Sequence, residues 1–587
     1  MEAAYSGTCR MASFETLSES DAKGNRWALV LLLLAGVFLI VGWRWFWFLT
    51  DDAYISFRYV SNSILGHGYV WNPPPFRPVE GYTNFLWVVL LDFVWRALGI
   101  APPQSANYLS LSFSLFSLVL VSWMVLRIRW NENLRRYRLL FLGLVLVAIT
   151  TNRTFLTWTS SGLETAMFDF FLVLWVCCCL FVPSSSIRWV FSVTSAAACM
   201  SLTRPDGLLF LAATVVLLSL SYLRKQRSRD RFQRLAAAFP LLAVPAHLAW
   251  RRMTYGEWLP NTFYAKFTGV WPESGIRYAL SFVLEYAVWV WLALAVYVLL
   301  VKVKASLGGH GAGEDGNQIV NANATSTPQS PPHRTILVAV CVALVLHAFY
   351  YTFVIGGDHF EYRVYSHLVL LVVPSFLWLC NAAGLKAKVS ISLFAAFMLL
   401  SYPIPWTHWA LSHNLNTREQ THKLRVSVSE AWPLCLSWYA RPFDKLQFWL
   451  IDHYVCVRHQ EHKVNCEFIK SLFPSRDEGL LLPSDHYPVF AFPAVGVVSW
   501  VLPKINIIDQ HGINDYVIAR TPPTRSRIRM MAHEKQAPEG YVECFSPNVQ
   551  LFDHKKIVIS TRQKELKAED IESCERTWAE RVRRMND

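Results

Sequence analysis

Long apolar runs, separated by short polar loops and closed by aromatic residues, dominate positions 27 to 403. Each run approaches the roughly 20 residues that a helix needs to cross a hydrocarbon layer about 30 Å thick. Aromatic residues at the ends of such runs match the belts found at membrane interfaces. The pattern predicts spans at 27–49, 105–127, 138–156, 163–182, 187–202, 206–223, 234–250, 277–301, 335–355, 363–383 and 387–403, about eleven in all. Thr83–Gly99 is apolar but short and contains Asp92 and Arg96, so it reads as an interfacial or re-entrant helix. Beyond Ser401 the long runs stop. Shorter alternating pieces follow at Tyr487–Val498, Lys504–Asp509 and Lys556–Ser560, and these read as strands.

The expected fold is therefore a polytopic α-helical membrane protein of about eleven spans with a C-terminal soluble α/β domain. Its parts are a tail at 1–26, a transmembrane domain at 27–403 containing a first exported loop at 50–104, and a C-terminal domain at 404–587.

Charge sets the orientation. Lys23 and Arg26 precede the first run, and the clusters RIRWNENLRRYR and RKQRSRDRFQR, Lys302 with Lys304, and Lys386 with Lys388 lie in later loops. Basic loops stay in the cytoplasm. Asp51 and the C-terminal domain then fall on the exported side of the membrane, with the N-terminus and the Gly-, Asn-, Ser- and Pro-rich stretch Ser306–His333 on the other. The net charge of +13 is explained by these loops, so no nucleic-acid partner is expected. The composition agrees: 17% of residues are charged, against roughly 25% in soluble domains.

The candidate chemistry gathers on the exported side. Asp51 and Asp52 directly follow the first span. A carboxylate there can take the proton of an attacking hydroxyl, while a second one holds sugar hydroxyls or a metal; equally, two acids at a helix start can be a solvated helix end. Tyr54, His67, Glu80 and Tyr82 follow in the same loop as sugar or acceptor contacts. Further polar clusters lie at SSGLET with Glu164, at SLTRPDG with Arg204 and Asp206, at YGEWLPNTFYAKF with Glu257, Asn261, Tyr264 and Lys266, and at GGDHFEYR with Asp358, His359, Glu361 and Arg363; of these, Glu164, Asp206, Asn261, Tyr264, Asp358 and His359 are also expected as sugar or acceptor contacts. Arg58, Arg204, Lys266 and Arg363 are candidates for a lipid phosphate, which favours Arg and Lys donors; snorkelling to headgroups is the bland alternative. Asp509, His511, Asn514 and Asp515 are contact candidates in the C-terminal domain. Asp169 and Glu285 fall inside expected spans, where charge is costly. No phosphate-cradling loop or dinucleotide fingerprint is present. No particular cofactor is implied by the residues, and a divalent cation is compatible with the acidic pair. Of the twelve cysteines, Cys456 and Cys466 are spaced for a disulfide in an oxidising compartment.

The segments DDAYISFRY, GHGYVWNP, EGYTNFLW, TSSGLETAMF, LTRPDGLLF, YGEWLPNTFYAK and GGDHFEYR together resemble the bacterial GT-C polyprenyl-phosphate-sugar glycosyltransferases. The likeness is to the mycobacterial terminal β-(1→2)-arabinofuranosyltransferase group, and it extends through IIDQHGINDYVIAR and MAHEKQAPEGYVE. It implies an essential acid in the first exported loop, at Asp51 or Asp52. It implies a polyprenyl-phosphate sugar donor, of arabinofuranose or another pentose, and a glycan or glycoconjugate acceptor of the cell envelope. The rival expectation is a transporter or flippase of lipid-linked sugars. Such proteins place their polar sites near the bilayer midplane and often contain repeats; this chain has its polar clusters at one face and no visible repeat.

Overall fold

The computed structural model describes residues 19–222, 228–308, 333–524, 528–552 and 555–586. The apolar runs are helices, as their length and composition require. Five are long and apolar enough to cross a membrane: Gly24–Trp45, Pro102–Arg127, Arg334–Ile355, Arg363–Ala382 and Ala387–Ser412. Three further apolar helices, Arg138–Thr150, Thr165–Phe181 and Gly207–Tyr222, are shorter. The expectation of about eleven spans is thus not met by helices of full length.

Two expected spans are broken. The run 277–301 is the pair Pro272–Glu285 and Val288–Val303, bent by 91°. Ala287 at the break has φ of 50°, a left-handed conformation that interrupts the helical hydrogen bonds. Counted as one broken span, the pair brings the number to six. The run 234–250 breaks at the 3-10 turn Phe239–Leu242, which holds Pro240; proline lacks the amide that a helix interior needs. The expected loop Ser306–His333 lies, apart from its ends, outside the described residues.

Of the two acids expected inside spans, Glu285 is ion-paired and Asp169 is held by a hydroxyl. Glu285 receives Arg458 in a two-point contact of 2.8 and 3.1 Å. Arg153 joins Glu361 at 3.1 Å, and Arg458 also reaches Glu361 at 3.5 Å. All four side chains are buried, so each charge depends on its partners. Asp169 accepts the Ser366 hydroxyl at 3.0 Å.

Thr83–Gly99 forms the helix Phe85–Leu98, with Asp92 held by Arg96 and Tyr69. The C-terminal region carries little sheet. Val489–Phe492 pairs in parallel with Asn506–Asp509, and Val549–Phe552 pairs antiparallel with Lys556–Ile559. The expected strand Tyr487–Val498 is correct only in its first half, because Val495–Val501 is a helix. Valine runs fit a buried helix as well as a strand, and periodicity alone does not separate them. The disulfide is Cys544–Cys574; Cys456 and Cys466 are free and buried, which corrects the expected pairing.

The C-terminal region and the loop that follows the first long helix share one hydrophobic core. Tyr54, Phe57, Tyr59 and Trp71 from the loop pack with Val497, Val498, Trp500, Ile505 and Ile507.

Candidate active site

The helix Asp51–Ile64 follows the first long helix after a short break. Thr50 caps it by accepting the Ala53 amide at 3.2 Å, and both acids sit in its first turn, where negative charge suits the helix dipole. The two carboxylates diverge from there. Asp51 accepts the amides of Val497 at 2.8 Å and Gly496 at 3.1 Å, and so caps the helix Val495–Val501. Burial, opposed by these amides and assisted by the Asp52 charge, pushes its carboxyl up to about 6. A β-carbon at Gly496 would fall 1.8 Å from the Asp51 carbonyl oxygen, so only glycine permits this approach. Among the described residues Asp52 accepts no hydrogen bond. Its partner is Lys266, whose Nζ lies 3.9 Å away, and the two side chains are 36% and 37% exposed.

A line of polar groups continues from this pair. The Asp52 charge reaches His533, whose imidazole burial pushes down to about 3. The His533 ring stands 4.9 Å from His511 and 5.5 Å from His359. One residue before His359, Asp358 takes Arg363 in a two-point contact of 2.8 and 3.3 Å. Arg204 lies behind, bonded to Glu164 at 3.1 Å, Asp206 at 3.1 Å and the Tyr351 hydroxyl at 3.0 Å. Asn84 closes the line by donating to Glu164 at 3.0 Å. Segments that are far apart in sequence, expected to share a face on charge alone, are therefore neighbours in space.

Several candidates have other work. Arg58, expected at the lipid phosphate, is fully buried and donates to five backbone carbonyls, those of Trp71, Ser499, Leu502, Pro503 and Ile505. Burial, with Arg476 nearby, pushes its guanidinium down to about 9. It pins the first loop to the C-terminal region and has no donor to offer a ligand. Glu80 is buried against Arg251, and Tyr82 meets Tyr255. Tyr54 packs on Phe57 and Trp500. Asn261 donates to the carbonyls of Gly512, Ile513 and Asp515, shaping the turn that carries His511. The Arg520 guanidinium covers the Tyr264 ring at 3.9 Å. His67 is exposed in a loop away from these contacts. Asp509 is spent on the amides of His511 and Asn514, and Asp515 caps the helix Tyr516–Arg520 and accepts Tyr541. Gly356 and Gly357, both in the left-handed region, fit against Trp271 and Tyr278 rather than beside an open site.

Sequence reasoning missed His533, His462, Tyr454 and the Gly496–Val497 amides. His533 lies on a segment closed by the Thr524 amide donating to Glu534 at 2.8 Å, a fold-back that no local pattern announces. Among the described residues, no three His, Cys, Asp or Glu side chains are grouped so as to hold a metal ion.

No family model matches this chain, and no curated protein matches it. ArnT from Cupriavidus metallidurans, whose crystal structure was solved bound to undecaprenyl phosphate, is a solved structure similar to this chain. The match has 12% identity, covers 84% of this chain and 87% of that one, and has a TM-score of 0.46.

Proposed function

We propose that the chain is a membrane glycosyltransferase that moves a sugar from a polyprenyl-phosphate donor to a hydroxyl of a cell-envelope glycan or glycoconjugate on the exported face. The observation that carries this reading is the Asp52–Lys266 pair. It is an open carboxylate and an open ammonium, 3.9 Å apart, beside helices long and apolar enough to hold a lipid tail.

The chemistry follows from those two groups. The acceptor oxygen attacks the anomeric carbon as Asp52 takes its proton, and the bond from that carbon to the phosphate oxygen breaks. Polyprenyl phosphate leaves with the electron pair. Lys266, with Arg363 further along the line, offsets the negative charge that grows on the leaving oxygen. Asp52 is the base rather than Asp51, because two amides already occupy the Asp51 oxygens. The resemblance of the sequence motifs favours arabinofuranose or another pentose as the sugar.

The test is to reconstitute the purified chain with synthetic polyprenyl-phosphate sugars and candidate acceptors, and to identify products by mass spectrometry. A glycosylated acceptor together with free polyprenyl phosphate is expected. Intact lipid-linked sugar moved between leaflets with no new glycosidic bond would replace this reading with a flippase.

A further inference from the structure

Five rings, His511, His533, Tyr454, His359 and His462, form a row that reaches the Asp52 charge through His533. Tyr454 lies 5.2 Å from His533 and is stacked on His359 at 6.2 Å; His462 stands 5.1 Å from His359. All five are half-buried. Two of them have a fixed tautomer. His359 Nδ1 is 2.8 Å from the Tyr454 carbonyl, and His533 Nδ1 is 2.7 Å from the Met531 carbonyl. A carbonyl only accepts, so each Nδ1 carries the hydrogen, and in the neutral imidazole each Nε2 presents a lone pair. Among the described residues neither Nε2 has a hydrogen-bond partner, and neither is enclosed, so both reach solvent. His511 Nδ1 and His462 Nε2 are enclosed and unpartnered at the two ends of the row.

We propose that this row is a binding subsite for a neutral saccharide, its hydroxyls donating to the Nε2 atoms of His359 and His533 and its C–H face lying on the rings. The acceptor role of the subsite rests on the transferase reading, which sets Asp52 beside it. Its preference for neutral sugar comes from the row alone. Burial holds His533 and His462 below the usual imidazole range, so these rings stay uncharged at neutral pH. Outward lone pairs accept a hydroxyl proton and repel a carboxylate or phosphate. Aromatic faces add apolar area at small entropic cost.

The test is a binding measurement on the full chain in nanodiscs. A neutral arabinofuranosyl tetrasaccharide is compared with tetragalacturonate, an acidic oligosaccharide of the same length. The wild type should bind the neutral probe and discriminate against the acidic one. His359→Ala and His533→Ala should each weaken neutral binding by about tenfold, the scale of one lost hydrogen bond together with the ring contact. His359→Gln and His533→Gln, whose amide oxygen can accept the same hydroxyl, should recover part of the loss; they also serve if an alanine variant misfolds. Unchanged affinity in the folded variants, preference for the acidic probe, or binding of neither probe overturns the subsite. Binding that follows the variants in a chain that transfers no sugar keeps the subsite and rejects the transferase reading.

Discussion

Asp51 accepts the backbone amide of Val497 at 2.8 Å, a bond between residues 446 positions apart. It anchors the start of the first-loop helix to the C-terminal region. The neighbouring carboxylate, Asp52, is left to face Lys266 and solvent. One acid of the pair holds the fold and the other is open to a substrate.

The Asp51 contact has a pH signature. Its carboxyl is raised in the folded protein from 3.8 to about 6, so the folded state binds this proton more tightly than the unfolded chain does. The stabilisation is complete below about pH 4 and is lost as pH rises through about 6. The difference in Tm between wild type and Asp51→Asn, followed in detergent from pH 4 to 7, should therefore shift against the wild type as pH rises. The opposite trend would mean that the amides outweigh burial. Gly496→Ala should lower Tm in both backgrounds, because its β-carbon has no room.

Arg58→Met should destabilise the protein by about 3 kcal/mol or more, because it strands several enclosed carbonyls at once. Thermal unfolding in detergent measures this. A variant that keeps its Tm but loses affinity for polyprenyl phosphate would return Arg58 to the phosphate site.

The sequence patterns located most helices to within a few residues, because a long apolar run has few other ways to satisfy its backbone in lipid. They also grouped Glu164, Arg204, Asp358 and Arg363 among polar clusters expected on one face, and the structure joins Arg204 to Glu164 and Arg363 to Asp358. What they could not separate was Asp51 from Asp52, or Arg58 from Arg363. Those roles depend on contacts with Val497 and with the carbonyls around Leu502, more than 400 positions away. The bend at Ala287 and the helix Val495–Val501 were hidden for a related reason: apolar composition fixes burial, not backbone conformation.

Lys266→Met should weaken binding of a polyprenyl-phosphate sugar by about tenfold or more with little change in Tm, since a charge-assisted contact is worth roughly 1.5–3 kcal/mol. Arg204→Ala should behave differently. It leaves Glu164 and Asp206 buried without their cation, a loss of about 3–5 kcal/mol. Donor titrations and melting curves on both variants separate the roles. Undiminished donor affinity in Lys266→Met would remove it from the phosphate site.

The Cys544–Cys574 bond ties the C-terminal helix Ala568–Asn586 to the turn Glu543–Phe545 across 30 residues. Removing it with Cys574→Ser should cost about 2–4 kcal/mol. Non-reducing peptide mapping should recover the linked pair and alkylatable Cys456 and Cys466. A Cys456–Cys466 peptide would contradict the arrangement.

Turnover by Asp52→Asn with a polyprenyl-phosphate sugar and a hydroxyl acceptor tests the central claim most directly. The substitution keeps the shape of the side chain and removes its basicity, and Asp52 has no hydrogen bond whose loss would unfold the helix. A positioned base contributes about 10²–10⁴-fold in rate, so transfer should fall by that factor at unchanged Tm and nearly unchanged donor affinity. Wild-type turnover by folded Asp52→Asn would contradict the account.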